Sequence, residues 1–239
     1  MAEPELKPLR LPAVPNKILE AGIRFLDCFW ERSQYEIGGG TVLAARWNHR
    51  HSTDVDCFMK EDLFRSVYEL KASNMREMLQ ELEDDGELTF GELNSRMLVI
   101  EFPDLGSMSL ISGTNLVRIQ DTLECEEATR VRLESSAEIL AKKLAFRVVD
   151  GRWMQRDFFD LVIASKCDPI AYSLAMDVLT EEERSSVANI LRLRLTCSTL
   201  ELGEIQNPFH ADVADQTWEL AAELFEGKEI ELPPVPKTN

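Results

Sequence analysis

Apolar positions along the chain change period several times, and the changes mark its elements. Residues 1–15 hold four of the ten prolines and predict an extended arm. Ile18, Leu19, Ile23, Leu26, Phe29 and Trp30 then recur at helical spacing, which predicts an amphipathic helix over residues 16–31. A short strand over 35–37 runs into Gly38-Gly39-Gly40-Thr41 and the apolar run 42–45, the order strand, glycine turn, helix. Alternation over 53–59 predicts a strand. A charged helix over 61–83 follows, stopped by Asp84-Asp85-Gly86. Strands are predicted over 87–92, 96–102 and 107–112, and a further one around 124–133. After Ser135 the pattern is helical over 137–149, 156–166, 169–177, 181–195 and 215–225, and the tail 232–239 has no pattern that packs by itself. The expected organisation is an α/β part, residues 1–133, followed by a helical part, residues 134–239, without internal repeats.

Composition narrows the class. With 239 residues, 44% apolar and 29% charged, the chain can bury an ordinary core. No stretch reaches the roughly 18–20 apolar residues of a membrane span, and the N-terminus lacks an apolar signal region, so a cytoplasmic protein without membrane contact is expected. Five scattered cysteines without a C-x-x-C pair read as reduced, mostly buried thiols. Against 26 basic residues stand 43 acidic ones, a formal charge of −17, which excludes a general nucleic-acid binder. A nucleic-acid substrate then requires basic residues gathered on one face, for which Arg46, His49, Arg50, Arg147, Arg152 and Arg156 are the candidates.

Candidate chemistry begins with Asp54 and Asp56, two apart on a predicted strand and therefore on one face. Two carboxylates that close repel unless a cation sits between them, and Mg²⁺ or Mn²⁺, with oxygen ligands completed by water or phosphate, suits the pair. The glycine turn upstream supports that reading, because Gly39 and Gly40 let backbone N–H groups approach a phosphate while Thr41 adds a hydroxyl ahead of a helix N-terminus. Glu101 is the candidate third metal ligand if an antiparallel neighbour places it beside the pair; otherwise it is a surface residue at a strand end. Lys143 and Arg147 share a helix face and could meet a triphosphate together, and Asp157 and Asp160 lie one turn apart on the next helix. By themselves these four read first as a surface ion-pair network between the two helices, worth little energetically. His49 and His51 flank Arg50, but a nitrogen-ligated metal site lacks a third nearby histidine. Trp47, Trp153 and Trp218 read as core or interface residues rather than base-stacking platforms.

Two blocks of sequence resemble a known family. Gly39-Gly40-Thr41, Leu43-Ala44, His49-Arg50, Ser52-Thr53-Asp54-Val55-Asp56 and Phe58 form the first. Glu138-Ile139-Leu140-Ala141-Lys142-Lys143-Leu144 with Arg147, then Arg156-Asp157-Phe158-Phe159-Asp160-Leu161, form the second. Together, over about residues 35–165, they are similar to the AbiEii/AbiGii toxin family of nucleotidyltransferases, which includes the mycobacterial MenT toxins. The resemblance departs in a third glycine at Gly38 and in Cys57, where an apolar or aromatic residue is expected.

That resemblance implies an α+β fold of the polymerase-beta-like type: a mixed sheet with flanking helices and a helical C-terminal domain that completes the active-site cleft. It implies metal ligation by Asp54 and Asp56, a triphosphate loop of Gly39, Gly40 and Thr41, and Ser52 as the serine ahead of the acid pair. Lys143 and Arg147 would contact the nucleotide, and Asp157 or Asp160 would supply the acid of the helical domain. The implied activity is Mg-dependent transfer of an NMP from an NTP to a tRNA 3′ end or a protein, by a toxin with a cognate antitoxin. A degenerate nucleotide-binding or antitoxin-binding protein, and kinase-like transfer to a serine such as Ser52, are the alternatives.

Overall fold

Residues 6–117, 124–197 and 205–233 are described by the computed structural model; residues 1–5 of the expected arm and 234–239 of the tail lie outside them. The chain divides into two units, one made of residues 1–45, 52–115 and 120–134, the other of 46–51, 116–119 and 135–239.

The first unit is built on an eight-stranded mixed sheet among the described residues. Its strands are β1 (Lys7–Leu9), β2 (Tyr35–Gly38), β3 (Val55–Lys60), β4 (Thr89–Leu93), β5 (Met97–Phe102), β6 (Gly106–Gly113), β7 (Glu124–Glu126) and β8 (Arg132–Leu133), in the order β1-β7-β8-β2-β3-β6-β5-β4. β1 with β7, β8 with β2 and β3 with β6 run parallel; the other neighbours are antiparallel. Two helices, α1 (Ala13–Leu26) and α3 (Glu61–Asp84), pack on one face. Ile18, Leu19, Ile23 and Leu26 of α1 and Phe64, Met75 and Leu79 of α3 are buried there with Val55, Cys57 and Met59 of β3. Helix α2 (Gly39–Trp47) starts at the last residue of β2 plus one, as the glycine turn predicted.

Several boundaries moved for local reasons. Part of the expected arm is β1, an edge strand, where Pro8 is tolerated because its missing N–H need not serve a second neighbour. Pro15 sits inside the first turn of α1, where backbone donors lack helical acceptors anyway. Phe29 and Trp30 are past the helix: their N–H groups turn back to the Leu26 carbonyl at 2.9 Å, and Trp30 stacks on Phe64. The strand expected around 124–133 is two, since Glu126 folds its carboxylate onto the N–H groups of Ala128 and Thr129 and Arg130 takes φ 62°.

The second unit is helical: α4 (Ser136–Lys143), α5 (Gln155–Cys167), α6 (Pro169–Met176), α7 (Glu181–Cys197), α8 (Ala211–Asp215) and α9 (Thr217–Phe225). Ser135 caps α4 by accepting from the Glu138 N–H at 3.0 Å. Glu138 is buried and turns its carboxylate to the backbone N–H groups of Leu116 and Val117. After Lys143 the helix continues as a π-turn over Leu144–Val148. Phe158 at the centre meets Trp153, Trp218 and Phe225, with ring centroids 5.2, 5.1 and 6.2 Å away. Trp47, Trp153 and Trp218 are all buried, as expected of core residues.

The observed architecture has the α+β class read from the sequence. The cysteines are all free, but only Cys57 and Cys125 are buried; Cys28 lies just past α1 and Cys197 at the end of α7, both exposed. Cys57 serves as a small apolar residue of the β3 core face, which accounts for it at that position. Among the described residues no helix is long and apolar enough to cross a membrane. Phe158→Ala should remove the hub of the helical core and cost about 3–5 kcal/mol, read as a lower midpoint in urea unfolding.

Candidate active site

In β3 the alternation puts Val55, Cys57 and Met59 into the core and leaves Asp56 and Phe58, with Asp54 just before the strand, on the other face and part-exposed. Asp54 Oδ1 accepts from the Ser107 hydroxyl at 3.1 Å and its N–H at 3.3 Å, which fixes the carboxylate against β6. Thr41, buried in α2, donates its hydroxyl to the Asp54 carbonyl and lies 2.9 Å from the Ser52 hydroxyl. The start of α2 is thereby tied to the segment that carries the acid pair.

The glycines are explained by what they admit. Gly39 has φ +69°, and a Cβ there would stand 2.2 Å from Asp56 Oδ2. The helix N-terminus can approach the carboxylate only without a side chain. Gly38, opposite Asp56 in the β2–β3 register, would place a Cβ 2.0 Å from Glu134 Oε2. The departure at Gly38 thus has a steric cause: the bare position accommodates Glu134, which follows β8 and donates its N–H to the Ile37 carbonyl. Asp56 and Glu134 flank Gly38 along one row of the sheet. Both also push up the Cys57 thiol pKa, after burial, the larger cause.

Glu134 was not among the residues singled out from the sequence, whereas Glu101 was. Glu101 pairs with Ser107, which faces Asp54, so β6 stands between Glu101 and the pair. Two strand spacings put it about 10 Å away, and it is exposed. No three His, Cys, Asp or Glu side chains converge as a metal cage among the described residues. Two adjacent part-exposed carboxylates remain, which is the protein share that Mg²⁺ takes when phosphates and water complete its shell.

In the helical unit, Asp157 and Asp160 are fully buried on α5. Asp160 receives Arg50 as a fork, Nε at 2.6 Å and Nη2 at 2.9 Å, His49 Nε2 at 2.7 Å and Lys143 Nζ at 3.1 Å. Burial alone would raise its pKa, but the Arg50 and Lys143 charges and the hydrogen bonds from Arg50 and His49 outweigh it and hold the carboxyl well below 3.8. His49, stacked on Phe159 and edge-on to Trp47, is held neutral, chiefly by burial. It therefore donates from Nε2 to Asp160 and leaves Nδ1 without a partner among the described residues. His49 so engaged is not poised as a metal ligand.

Asp157 pairs with Lys143 Nζ and with Arg147 Nη1, 3.3 Å from both carboxylate oxygens. Burial raises this carboxyl too, and Lys143 and Arg147 bring it below the ordinary value. The two aspartates are not equivalent. Asp160 is enclosed by four donors, while Asp157 shares Arg147, whose side chain is 38% exposed. Arg147 lies in the π-turn, and its side chain reaches back to Asp157 on α5.

The profile of the family described as nucleotidyl transferase AbiEii toxin, type IV toxin–antitoxin system, matches residues 31–235. Among solved structures, JHP933 of Helicobacter pylori matches with 14% identity and a TM-score of 0.46, over 89% of this chain and 90% of that one. A second H. pylori protein, solved as a candidate nucleotidyltransferase, matches with 14% identity and a TM-score of 0.44, over 88% and 95%. No curated protein matches.

Gly39→Ala combines a positive φ with a Cβ 2.2 Å from Asp56. It should weaken nucleotide binding at least tenfold in calorimetry while the far-ultraviolet spectrum stays that of the parent; parental affinity would show that the close approach has no role. Asp160→Asn should destabilise by about 3–5 kcal/mol at neutral pH, because Arg50 and Lys143 keep buried charges without their anion. The folded pKa of Asp160 is depressed, so its contribution is present above 3.8 and fades as pH falls through the folded value. Urea midpoints of parent and variant should accordingly converge in acid.

Proposed function

Because this chain belongs to the nucleotidyl transferase AbiEii toxin family of type IV toxin–antitoxin systems and is a nucleotidyltransferase, we propose that it transfers an NMP from an NTP to an RNA 3′ end, with Asp54 and Asp56 at the reacting centre. The observation that carries the reading is the packing of Gly39, at the N-terminus of α2, onto the Asp56 carboxylate. Backbone donors for phosphate and carboxylates for a cation stand side by side. A bound Mg²⁺ or Mn²⁺, held by Asp54 and Asp56 with Glu134 as the adjacent carboxylate, would supply Lewis-acid polarisation of the phosphoryl oxygens.

The chain's own residues do the rest. N–H groups of Gly39, Gly40 and Thr41 receive the phosphates, and the Thr41 hydroxyl keeps the Ser52–Asp54 segment in register with them. An acceptor hydroxyl forms its bond to the α-phosphorus and gives up its proton, while the bond to pyrophosphate breaks. In the helical unit we assign Asp160 a positioning role, since its four donors leave no room for substrate. Asp157, Lys143 and Arg147 form the responsive end: an incoming phosphate competes with Asp157 for two cations. A cognate antitoxin is the partner that the family's system calls for.

The test is to incubate the protein with Mg²⁺, each α-labelled NTP and total tRNA, following label and pyrophosphate. Label should appear on RNA with pyrophosphate released, and Asp54→Ala or Asp56→Ala should lower the rate at least a thousandfold with folding intact. Release of NDP with labelled Ser52 from a γ-labelled NTP would replace transfer by a kinase-like reaction. NTP binding without any transfer would identify a degenerate relative.

A further inference from the structure

The chain carries 43 acidic and 26 basic residues, yet between residues 139 and 156 five basic side chains, Lys142, Lys143, Arg147, Arg152 and Arg156, face one acid, Asp150. Tertiary structure adds Arg194 of α7, whose guanidinium lies over the Trp153 ring, 4.5 Å from its centroid. Four of these six cations are occupied. Lys142 meets Glu138, Lys143 meets Asp157 and Asp160, Arg147 meets Asp157, and Arg152 meets Asp150. Arg156 and Arg194 have no carboxylate or hydrogen-bond partner among the described residues.

The surroundings of these two arginines are ordered. Arg152 Nη2 donates to the Phe146 carbonyl at 2.7 Å, and Trp153 Nε1 donates to the Val148 carbonyl at 2.6 Å, so the π-turn and the segment leading into α5 are stitched together. From this turn Phe146 stays 47% exposed and Val149 40% exposed. Arg156 projects from the first turn of α5, three residues after Trp153. The result is two guanidinium groups without counter-ions among the described residues, one of them over an indole, and an exposed aromatic ring on the π-turn.

Arg24, Arg96 and Arg130 also lack a carboxylate partner among the described residues, so what distinguishes Arg156 and Arg194 is their place beside a basic segment that exposes a ring. Planar guanidinium groups and an exposed ring contributed by the π-turn and the elements packed next to it match a ligand that offers both phosphate oxygens and flat faces. We propose that the π-turn, Arg156 and Arg194 form the contact surface for a single-stranded RNA segment of the acceptor, the arginines on its phosphodiesters and Phe146 on a base. The proposal rests on the reading that the acceptor is RNA. An acidic peptide could take the charges but would leave Phe146 without a stacking partner, which is why the strand is preferred.

The experiment measures anisotropy of a fluorescent unstructured oligoribonucleotide with the full chain, without NTP, over a series of KCl concentrations. The double variant Arg156→Glu/Arg194→Glu should raise Kd at least tenfold and flatten the salt dependence by about one to two in log–log slope. Phe146→Ala should raise Kd by about tenfold with the slope unchanged, because stacking is not screened. Calorimetric NTP binding should match the parent in both. Unchanged Kd and slope in the double variant overturn the proposal, as does displacement of the RNA by polyglutamate at equal charge concentration. Label transfer separates the two claims: if the parent labels RNA and the double variant does so with the same KM for RNA, the surface is refuted while RNA transfer stands. If the parent labels only protein, the acceptor reading has failed.

Discussion

The buried carboxylate of Asp160 organises three separate stretches of the helical unit. It sits on α5, takes a fork from Arg50, accepts a hydrogen bond from His49, and meets Lys143 at the end of α4. Removing an anion and its cations from water is expensive, and their mutual attraction compensates only when geometry and hydrogen bonds are complete. Here they are nearly complete, since both oxygens of Asp160 are occupied and the one polar atom of this group left without a described partner is His49 Nδ1. Any other packing of α4, α5 and the 46–51 segment would strand a buried charge, so the network disfavours alternative arrangements of these three stretches. The chain leaves the sheet unit after Ala45, contributes His49 and Arg50 to the helical unit, and returns at Ser52. Its His-Arg pair thus belongs to the helical unit although in sequence it immediately precedes the residues of the acid pair.

In the sheet unit the governing constraint is opposite in kind: space kept empty. Gly38 and Gly39 are bare because the Glu134 and Asp56 carboxylates fill the places where their side chains would be. Bringing anions toward one row of a sheet is unfavourable by itself. It becomes reasonable where a helix begins beside them and a cation can be shared. Thr41 links the two halves of this arrangement, with one hydroxyl near both Ser52 and the Asp54 carbonyl.

How much of this the sequence revealed depends on how local each signal is. The acid pair and the glycine turn were legible because period-two alternation and a strand-to-helix junction are readable within twenty residues. The helices of the second half were legible for the same reason, while the π-turn was not, because the apolar spacing of residues 144–148 also suits an α-helix. β1 was hidden by its length of three residues and its proline, which only an edge position permits. Glu134 was invisible because its place depends on the parallel pairing of β8 with β2, formed across nearly a hundred residues. Glu101 depended on an antiparallel neighbour placing it beside the pair, but β6 is inserted between β3 and β5, so the strand that carries it is the pair's second neighbour. Asp157 and Asp160 were indistinguishable as two acids one turn apart. Their separation into an enclosed residue and one that shares an exposed arginine comes from partners more than a hundred positions away in one case and ten to fourteen in the other.

The net charge of −17 bears on the acceptor differently once charges have positions. At physiological ionic strength a field decays over about 8 Å, so a polyanion at some distance meets only the summed acidic surface and is repelled. Within that range the local balance decides, and on the proposed surface Arg156 and Arg194, which have no described acidic partners, would set it. A globally acidic protein with one basic face would bind nucleic acid poorly in every orientation but one, and the same acidic surface would suppress indiscriminate sliding along RNA. Selectivity for a chain end would then owe as much to repulsion everywhere else as to attraction at the face itself. The excess acid, which first reads as an argument against an RNA substrate, is in these terms an argument against non-specific RNA binding only.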